Sequence, residues 1–162
     1  MTRRVSAGIL LHRRRDGQIE VLLGHPGGPF FSRRDKGHWT IPKGELGDDG
    51  ELLAAAVREF AEETGHAVSA VAEDPDAAPI DLGFVTQAGG KRVYCWAVEG
   101  DLDPERATSN TFEMTWPPGS GVVQSFSEID RVAWFSIPEA RCRTNRSQSE
   151  FIDRLAQLLA TG

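Results

Sequence analysis

The sequence is poor in cysteine, and this shortage excludes a disulfide framework or a structural zinc site. Its 162 residues contain two cysteines, Cys95 and Cys142, far apart and outside any Cys-x-x-Cys or Cys/His metal-binding spacing. Two unpaired thiols suit a reducing compartment, where their ordinary role is packing.

Long apolar runs are also absent from the sequence. No run approaches the roughly 20 residues that a membrane-spanning helix needs. The short apolar run near the N-terminus lies between basic clusters, is too short for a secretory signal and lacks a cleavage site. We therefore expect a cytoplasmic protein that does not associate with membranes.

Positive charge is in deficit, since 18 Lys and Arg stand against 24 Asp and Glu and the net charge is −6. A protein that binds nucleic acid or a membrane surface would present a basic field, so we expect neither partner. With 40% hydrophobic and 26% charged residues, the composition is that of a globular protein. The length suits one core, and we expect a single domain over residues 1–162.

Local patterns predict several strands. Asp16-Gly17 between two apolar runs predicts an opening β-hairpin. Leu82–Thr86 and Arg92–Val98 flank Gly89-Gly90 and predict a second hairpin, and Arg131–Phe135 is typical of a further strand.

The helix patterns are equally local. A helix is predicted from about Glu51 to Thr64, with Asp48 as its cap and Gly65 at its end. The segment Asp101–Ser120 is rich in breakers and is predicted to be irregular. A capping box and an amphipathic pattern predict a closing helix after Ser147. Strands interleaved with helices imply an α/β/α sandwich with a mixed central sheet.

The predicted helix carries Glu59, Glu62 and Glu63 at i, i+3 and i+4, so all three point to one face. Like charges at these spacings destabilise a helix, and a face built only for solubility would interleave Lys or Arg. Acidic faces are often simply solvated. The alternative is a platform for a hard divalent cation, which prefers oxygen ligands.

The residues around this cluster decide between the two interpretations. The segment Gly44–Gly65 resembles the Nudix box, G-x5-E-x7-R-E-U-x-E-E-x-G-U, the signature of the Nudix hydrolase family. Its matching positions are Gly44, Arg58, Glu59, Phe60, Glu62, Glu63 and Gly65. Gly50 stands where the pattern has Glu, with Glu51 one residue late, and His66 replaces an apolar residue. A local shift would give the missing role to Glu51.

The resemblance implies the Nudix fold, an α/β/α sandwich, and hydrolysis of a pyrophosphate bond. It implies that Glu59, Glu62, Glu63 and the Gly44 carbonyl hold Mg²⁺, with Mn²⁺ as a substitute, and that Arg58 orients a glutamate. The catalytic set that we predict is Arg58, Glu59, Glu62, Glu63 and Glu113. The candidates for the general base are, in order, Glu62, Glu113 and Glu128. For Glu113, burial among Phe112, Met114 and Trp116 would raise the carboxyl pKa towards a useful range.

Substrate-binding residues are predicted from charge and aromaticity. Arg33, Arg34 and Lys43 precede the box in an otherwise acidic chain and would lie near substrate phosphates, although each arginine alone is as easily plain surface charge. Phe112 and Trp116 offer stacking surfaces for a nucleobase.

The primary hypothesis is a Mg²⁺-dependent hydrolase that cleaves a nucleoside diphosphate linked to another moiety, such as a dinucleoside polyphosphate, a nucleotide sugar or an oxidised NTP. The alternative is a nucleotide-binding module with little or no turnover, which Gly50 in place of Glu makes plausible. The expected partner is therefore a small nucleotide-type diphosphate, and the sequence leaves a homodimer open.

Overall fold

The chain alternates strands and helices much as its local patterns predict. The computed structural model describes residues 4–161. The strands are β1 Val5–Arg15, β2 Gln18–Pro26, β3 Lys43–Glu45, β4 Ile80–Thr86, β5 Arg92–Glu99, β6 Thr111–Thr115, β7 Val123–Ser127 and β8 Ile129–Ser136. The α-helices are α1 Leu52–Thr64, α2 Val68–Val71, α3 Ile137–Arg143 and α4 Ser149–Thr161.

The central sheet has six strands in the order β4-β5-β1-β2-β8, with β3 paired to β1. The β1–β5 pair is parallel, whereas β1–β2, β1–β3, β2–β8 and β4–β5 are antiparallel. The sheet is therefore mixed, as predicted.

Each face of the sheet buries its own apolar cluster. On one face α1 inserts Ala55, Ala56 and Phe60, which are fully buried against side chains of β1 and β2. On the other face α4 contributes Phe151 and Leu155. Helices on both faces of a mixed sheet confirm the predicted α/β/α sandwich. Among residues 4–161, no helix combines the length and apolarity needed to cross a membrane.

The predicted hairpins are present. Asp16 and Gly17 have φ values of 53° and 77°, the left-handed conformation that a two-residue turn between β1 and β2 requires. The hairpin of β4 and β5 is also confirmed. Of the two cysteines, Cys95 packs in the core, but Cys142 is exposed, so a packing role is wrong for it.

The start of α1 differs from the prediction. The N-cap residue is Glu51, which makes no side-chain capping bond, so the predicted cap at Asp48 is wrong. Gly50, with φ of 80°, turns the chain just before the helix. The other end is as predicted, since Gly65 is left-handed and its N–H bonds to the Ala61 carbonyl.

The segment Asp101–Ser120 is less irregular than predicted, because it contains β6. That strand pairs antiparallel with β7 in a separate two-stranded sheet, with Phe112 opposite Phe126. Pro117, Pro118 and Gly119 lie in the connection between these two strands, whereas Pro104 precedes β6.

Candidate active site

Gly44 and Glu59 lie in direct contact where β3 meets α1. A Cβ atom at position 44 would fall 1.9 Å from the Glu59 carboxyl carbon, so a larger residue there would displace that carboxylate. β3 is fixed on β1 by the pairing of Gly44 with Ala7. The sheet therefore presents the backbone of Gly44 to a carboxylate of the helix.

Arg58 connects the carboxylates around it. Its Nη1 donates to Glu59 Oε1 at 2.9 Å and to both carboxylate oxygens of Glu62 at 3.2 Å. Its Nε and Nη2 donate to Asp49 Oδ1 and Oδ2 at 2.7 and 3.0 Å, and Nη2 also reaches the Glu45 carbonyl at 3.1 Å. These bonds, led by those to Asp49, raise the pKa of Arg58 and lower that of Asp49. One guanidinium thus offsets the repulsion between neighbouring carboxylates.

Arg58 is bonded to Asp49, and not to Glu51, the residue that the shifted pattern indicated. Glu51 is exposed at the start of α1, whereas the Asp49 side chain is 11% exposed and bonded at two points to Arg58. The physical reason is the left-handed turn at Gly50. Asp49 precedes this turn and faces the helix, whereas Glu51 follows it and faces solvent.

Glu63 is the buried member of the cluster. It is 7% exposed, and its Oε2 has no hydrogen-bond partner. Burial, with the neighbouring Glu59 as the next cause, raises the pKa of Glu63 to about 8, and the charge of Lys43 opposes the shift. A buried carboxylate with an unpartnered oxygen is costly for the fold and is ready to accept a cation.

The donor set fits a hard divalent cation. Glu59, Glu62 and Glu63 offer carboxylate oxygens and Gly44 a backbone carbonyl, and one buried oxygen of Glu63 is without a partner. Within residues 4–161, however, no three His, Cys, Asp or Glu side chains are arranged around one point. The bonds of Arg58 to Glu59 and Glu62 explain this, because they hold both carboxylates on the guanidinium.

A cavity of about 300 Å³ opens beside Glu63. Its lining includes Lys43, Glu128, Phe31 and His38. The volume lies at the lower end of the range for small-molecule sites, about 300–1,000 Å³. A cation and a buried carboxylate in one cavity are suited to an anionic substrate that arrives with a metal ion.

Of the three basic residues predicted to bind substrate, only Lys43 lines this cavity in the described part of the chain. Burial, with the charge of Lys91 as the next cause, lowers the pKa of Lys43. Arg33 and Arg34 are exposed on the preceding loop and are not among the described residues that line the cavity. Their side chains lie on a segment that borders the site.

The predicted aromatic residues lie on or beside the small hairpin. Phe112 is half-buried, packs 6.0 Å from Phe126 and sits against Gly28. Trp116 meets Phe30 edge to face at 5.3 Å between ring centroids. Both aromatics therefore touch the loop that borders the cavity, and neither lines the cavity itself in the described part of the chain.

The prediction that Glu113 is buried among aromatic residues is wrong. Alternation along β6 turns Phe112 and Met114 to one side and leaves Glu113 exposed, opposite Ser125 of β7. Glu128, in contrast, lines the cavity, and its charge contributes to the raised pKa of Glu63. Of the two downstream candidates for the base, the structure brings Glu128 to the cluster.

Sequence reasoning missed Asp49 and most residues that line the cavity, among them Phe31 and His38. Asp49 lies next to the position where the pattern has Glu, which was the available signal. Phe31 and His38 lie in a loop dense in Gly, Pro and charge, and no periodicity marks which of its side chains face inward.

Comparison with known proteins identifies the family of the chain. The profile of the NUDIX domain matches residues 2–155. The chain belongs to the Nudix family. A binary complex of an Ap4A hydrolase from C. elegans is 21% identical, with a TM-score of 0.65 and coverage of 98% of this chain and 99% of that one.

Two further structures share the Nudix fold of this chain. The NUDIX domain of NrtR from Shewanella oneidensis, complexed with ADP ribose, is 16% identical, with a TM-score of 0.65 and coverage of 98% and 90%. The Nudix hydrolase RenU from M. smegmatis is 21% identical, with a TM-score of 0.60 and coverage of 98% and 87%. At these identities the likeness shows the fold, and membership of the family supports an enzyme that hydrolyses pyrophosphate bonds.

Proposed function

We propose that the protein is a Mg²⁺-dependent pyrophosphohydrolase that cleaves a nucleoside diphosphate linked to another moiety. The observation that carries this proposal is the buried Glu63, which lines a cavity together with Lys43, has one carboxylate oxygen without a hydrogen-bond partner and feels the charge of Glu59. A cation would satisfy that oxygen, and the pair of cation and Lys43 would bind the substrate phosphates.

Each residue of the site has a role in this proposal. Glu59, Glu62, Glu63 and the Gly44 carbonyl would hold Mg²⁺, which supplies charge neutralisation at the phosphates and a more acidic bound water. Arg58 orients Glu59 and Glu62 through the bonds of its Nη1. Mn²⁺ would serve as a substitute.

Two residues that line the cavity, Glu128 and Lys43, are assigned to proton transfer and phosphate binding. Glu128 would accept the proton of the attacking water, since it faces the same cavity as Glu63. Lys43 would bind a non-bridging phosphate oxygen. Arg33 and Arg34 would attract the polyphosphate from outside the cavity, and Phe112 and Trp116 would contact the nucleobase near the loop.

Two structural relatives support the substrate class. One is an Ap4A hydrolase and another is a NUDIX domain in complex with ADP ribose. Both of these compounds contain a nucleotide joined through a phosphoric anhydride to a further nucleoside or sugar. Dinucleoside polyphosphates and ADP ribose are therefore the first probes, followed by nucleotide sugars and oxidised NTPs.

The alternative is a nucleotide-binding module with little or no turnover. The bonds of Arg58 favour it, because they hold two of the three glutamates on a guanidinium and no three-ligand group is present in the described residues. In that case, ADP ribose would bind without hydrolysis.

The test measures product release from these probes by the purified protein with Mg²⁺ and with EDTA. We expect metal-dependent cleavage that falls by orders of magnitude in Glu62→Gln and Glu63→Gln. The matched control is Glu150→Gln, since Glu150 also pairs with an arginine one turn away, Arg154, but on α4. Binding without cleavage in the presence of Mg²⁺ would establish the module, and full activity in both variants would reject the ligand assignment.

A further inference from the structure

His25 is a completely buried residue near the end of β2 that has no part in the proposed chemistry. Its Nδ1 lies 2.9 and 3.1 Å from the two carboxylate oxygens of Asp130. Its Nε2 lies 2.6 Å from the backbone carbonyl oxygen of Arg34. The imidazole therefore bridges the start of β8 and the loop that borders the cavity.

Both partners of this ring accept hydrogen bonds. A carboxylate and a carbonyl oxygen have no proton to give, so each ring nitrogen of His25 has to donate. Because His25 is 0% exposed, water cannot replace either partner.

The carbonyl of Arg34 belongs to residues 27–38, which we name the cavity loop. Phe31, Gly37 and His38 of this loop line the cavity beside Glu63. Residues 30–37 are all exposed, so the loop buries few side chains of its own. Its conformation depends on a small number of bonds to the rest of the protein.

Those bonds fall at identifiable points along the loop. The Gly27 N–H donates to the Glu128 carbonyl at 2.9 Å, which fixes the first residue. Asp35 accepts from Trp39 Nε1 at 2.8 Å and from Arg143 Nη1 at 2.6 Å, which fixes the part nearest α3. Between these two points, His25 supplies the bond from the protein interior at Arg34.

We propose that His25, donating from both ring nitrogens, is a positioning residue that holds the cavity loop in its substrate-binding conformation. This inference rests on the proposed function, because it gives the loop a role at the same site. Loss of the Nε2 donor frees the Arg34 carbonyl, and Phe31, which lies between the two other anchors, loses its fixed place in the cavity. The glutamates of α1 are unaffected, so KM should rise while kcat changes little.

The test compares three variants with the wild-type protein. His25→Leu removes both donors, His25→Gln retains one amide donor, and Asp130→Asn retains an acceptor without its charge. The control is His12→Leu, the same substitution at a second buried histidine, one that does not line this cavity. Trypsin reports on the loop directly, because Arg33, Arg34 and Lys36 are exposed within it.

We expect cleavage after these three residues to be about tenfold faster or more in His25→Leu, less accelerated in His25→Gln and Asp130→Asn, and unchanged in His12→Leu. KM for ADP ribose or diadenosine tetraphosphate should rise in the same order at nearly constant kcat. A long-range ¹H–¹⁵N NMR spectrum should show two protonated ring nitrogens for His25 at neutral pH. Wild-type cleavage and KM in His25→Leu, or one protonated nitrogen, would overturn the proposal.

Failure of the proposed function gives a different result. If the wild-type protein neither binds nor cleaves the probes, that function fails and His25 has no role in substrate binding. The trypsin and NMR measurements need no substrate, so they still decide whether His25 holds the loop. A variant that does not fold is recognised by cleavage throughout the chain, and Asp130→Asn, which keeps a hydrogen-bond acceptor for the ring, then provides the comparison.

Discussion

Asp49 and Arg58 form a two-point ion pair, with Nε to Oδ1 at 2.7 Å and Nη2 to Oδ2 at 3.0 Å. The pair leaves Nη1 of the guanidinium free to bind Glu59 and Glu62. Asp49 thus sets the orientation of Arg58, and Arg58 sets that of two predicted metal ligands. The residue bonded to Arg58 is thus an aspartate one position before the place where the family pattern has glutamate.

We predict that Asp49→Asn lowers the metal-dependent activity about 10- to 100-fold, as the loss of a residue that orients metal ligands commonly does. The amide cannot accept both guanidinium bonds, so Arg58 loses its orientation. Glu51→Gln, which changes the exposed neighbour, should leave activity at the wild-type level. Steady-state kinetics over a range of Mg²⁺ concentrations measures both. Equal losses in the two variants would contradict the role of Asp49.

Burial of Glu63 predicts a pH dependence of stability in the metal-free protein. Its pKa rises from 4.5 to about 8, so between these values the folded state binds more protons than the unfolded state. The free energy of unfolding should therefore fall as the pH rises through this window, by a few kcal/mol at most at about 1.4 kcal/mol per pKa unit. Denaturant titrations with EDTA check this, and Glu63→Gln should remove the slope. Added Mg²⁺ should stabilise the wild type more at the upper end of the window.

His12 predicts the opposite slope. Burial, with Arg14 as the second cause, lowers its pKa from 6.5 to about 4, and its Nε2 has no partner. Between these values the unfolded state binds more protons, so the free energy of unfolding should fall as the pH drops through the window. Denaturant titrations of His12→Leu should show this acid-side loss reduced. Superimposable acid-side curves for His12→Leu and the wild type would argue against it.

A kinetic prediction distinguishes Glu128 from Glu113 as the general base. Glu128→Gln should lower kcat by about 100-fold with little change in KM, since a general base acts on the chemical step. Glu113→Gln should stay within about twofold of the wild type, because that side chain is exposed on β6. The measurement is kcat and KM for both variants with one substrate. A large loss in Glu113→Gln alone would place Glu113 ahead of Glu128 as a candidate for the general base.

The candidate site divides into a part that local sequence predicts and a part that it does not. The helix of the box, its end at Gly65 and the shared face of the three glutamates were predictable, because they depend on a period of about 3.6 residues and on one left-handed glycine. The choice of Glu128 over Glu113 was not predictable. It depends on the pairing of β6 with β7, which turns Glu113 to solvent.

By itself, the sequence determined the family, the layers of the fold and the acidic face of α1, since all of these follow from spacing along the chain. The tertiary structure decided which carboxylate meets Arg58, which oxygen of the cluster is buried without a partner, and which buried histidine holds the cavity loop. His25 and Asp130 are separated by 105 residues and meet because β2 pairs with β8. Contacts between residues so distant in sequence depend on the register and curvature of the whole sheet, which no local pattern contains.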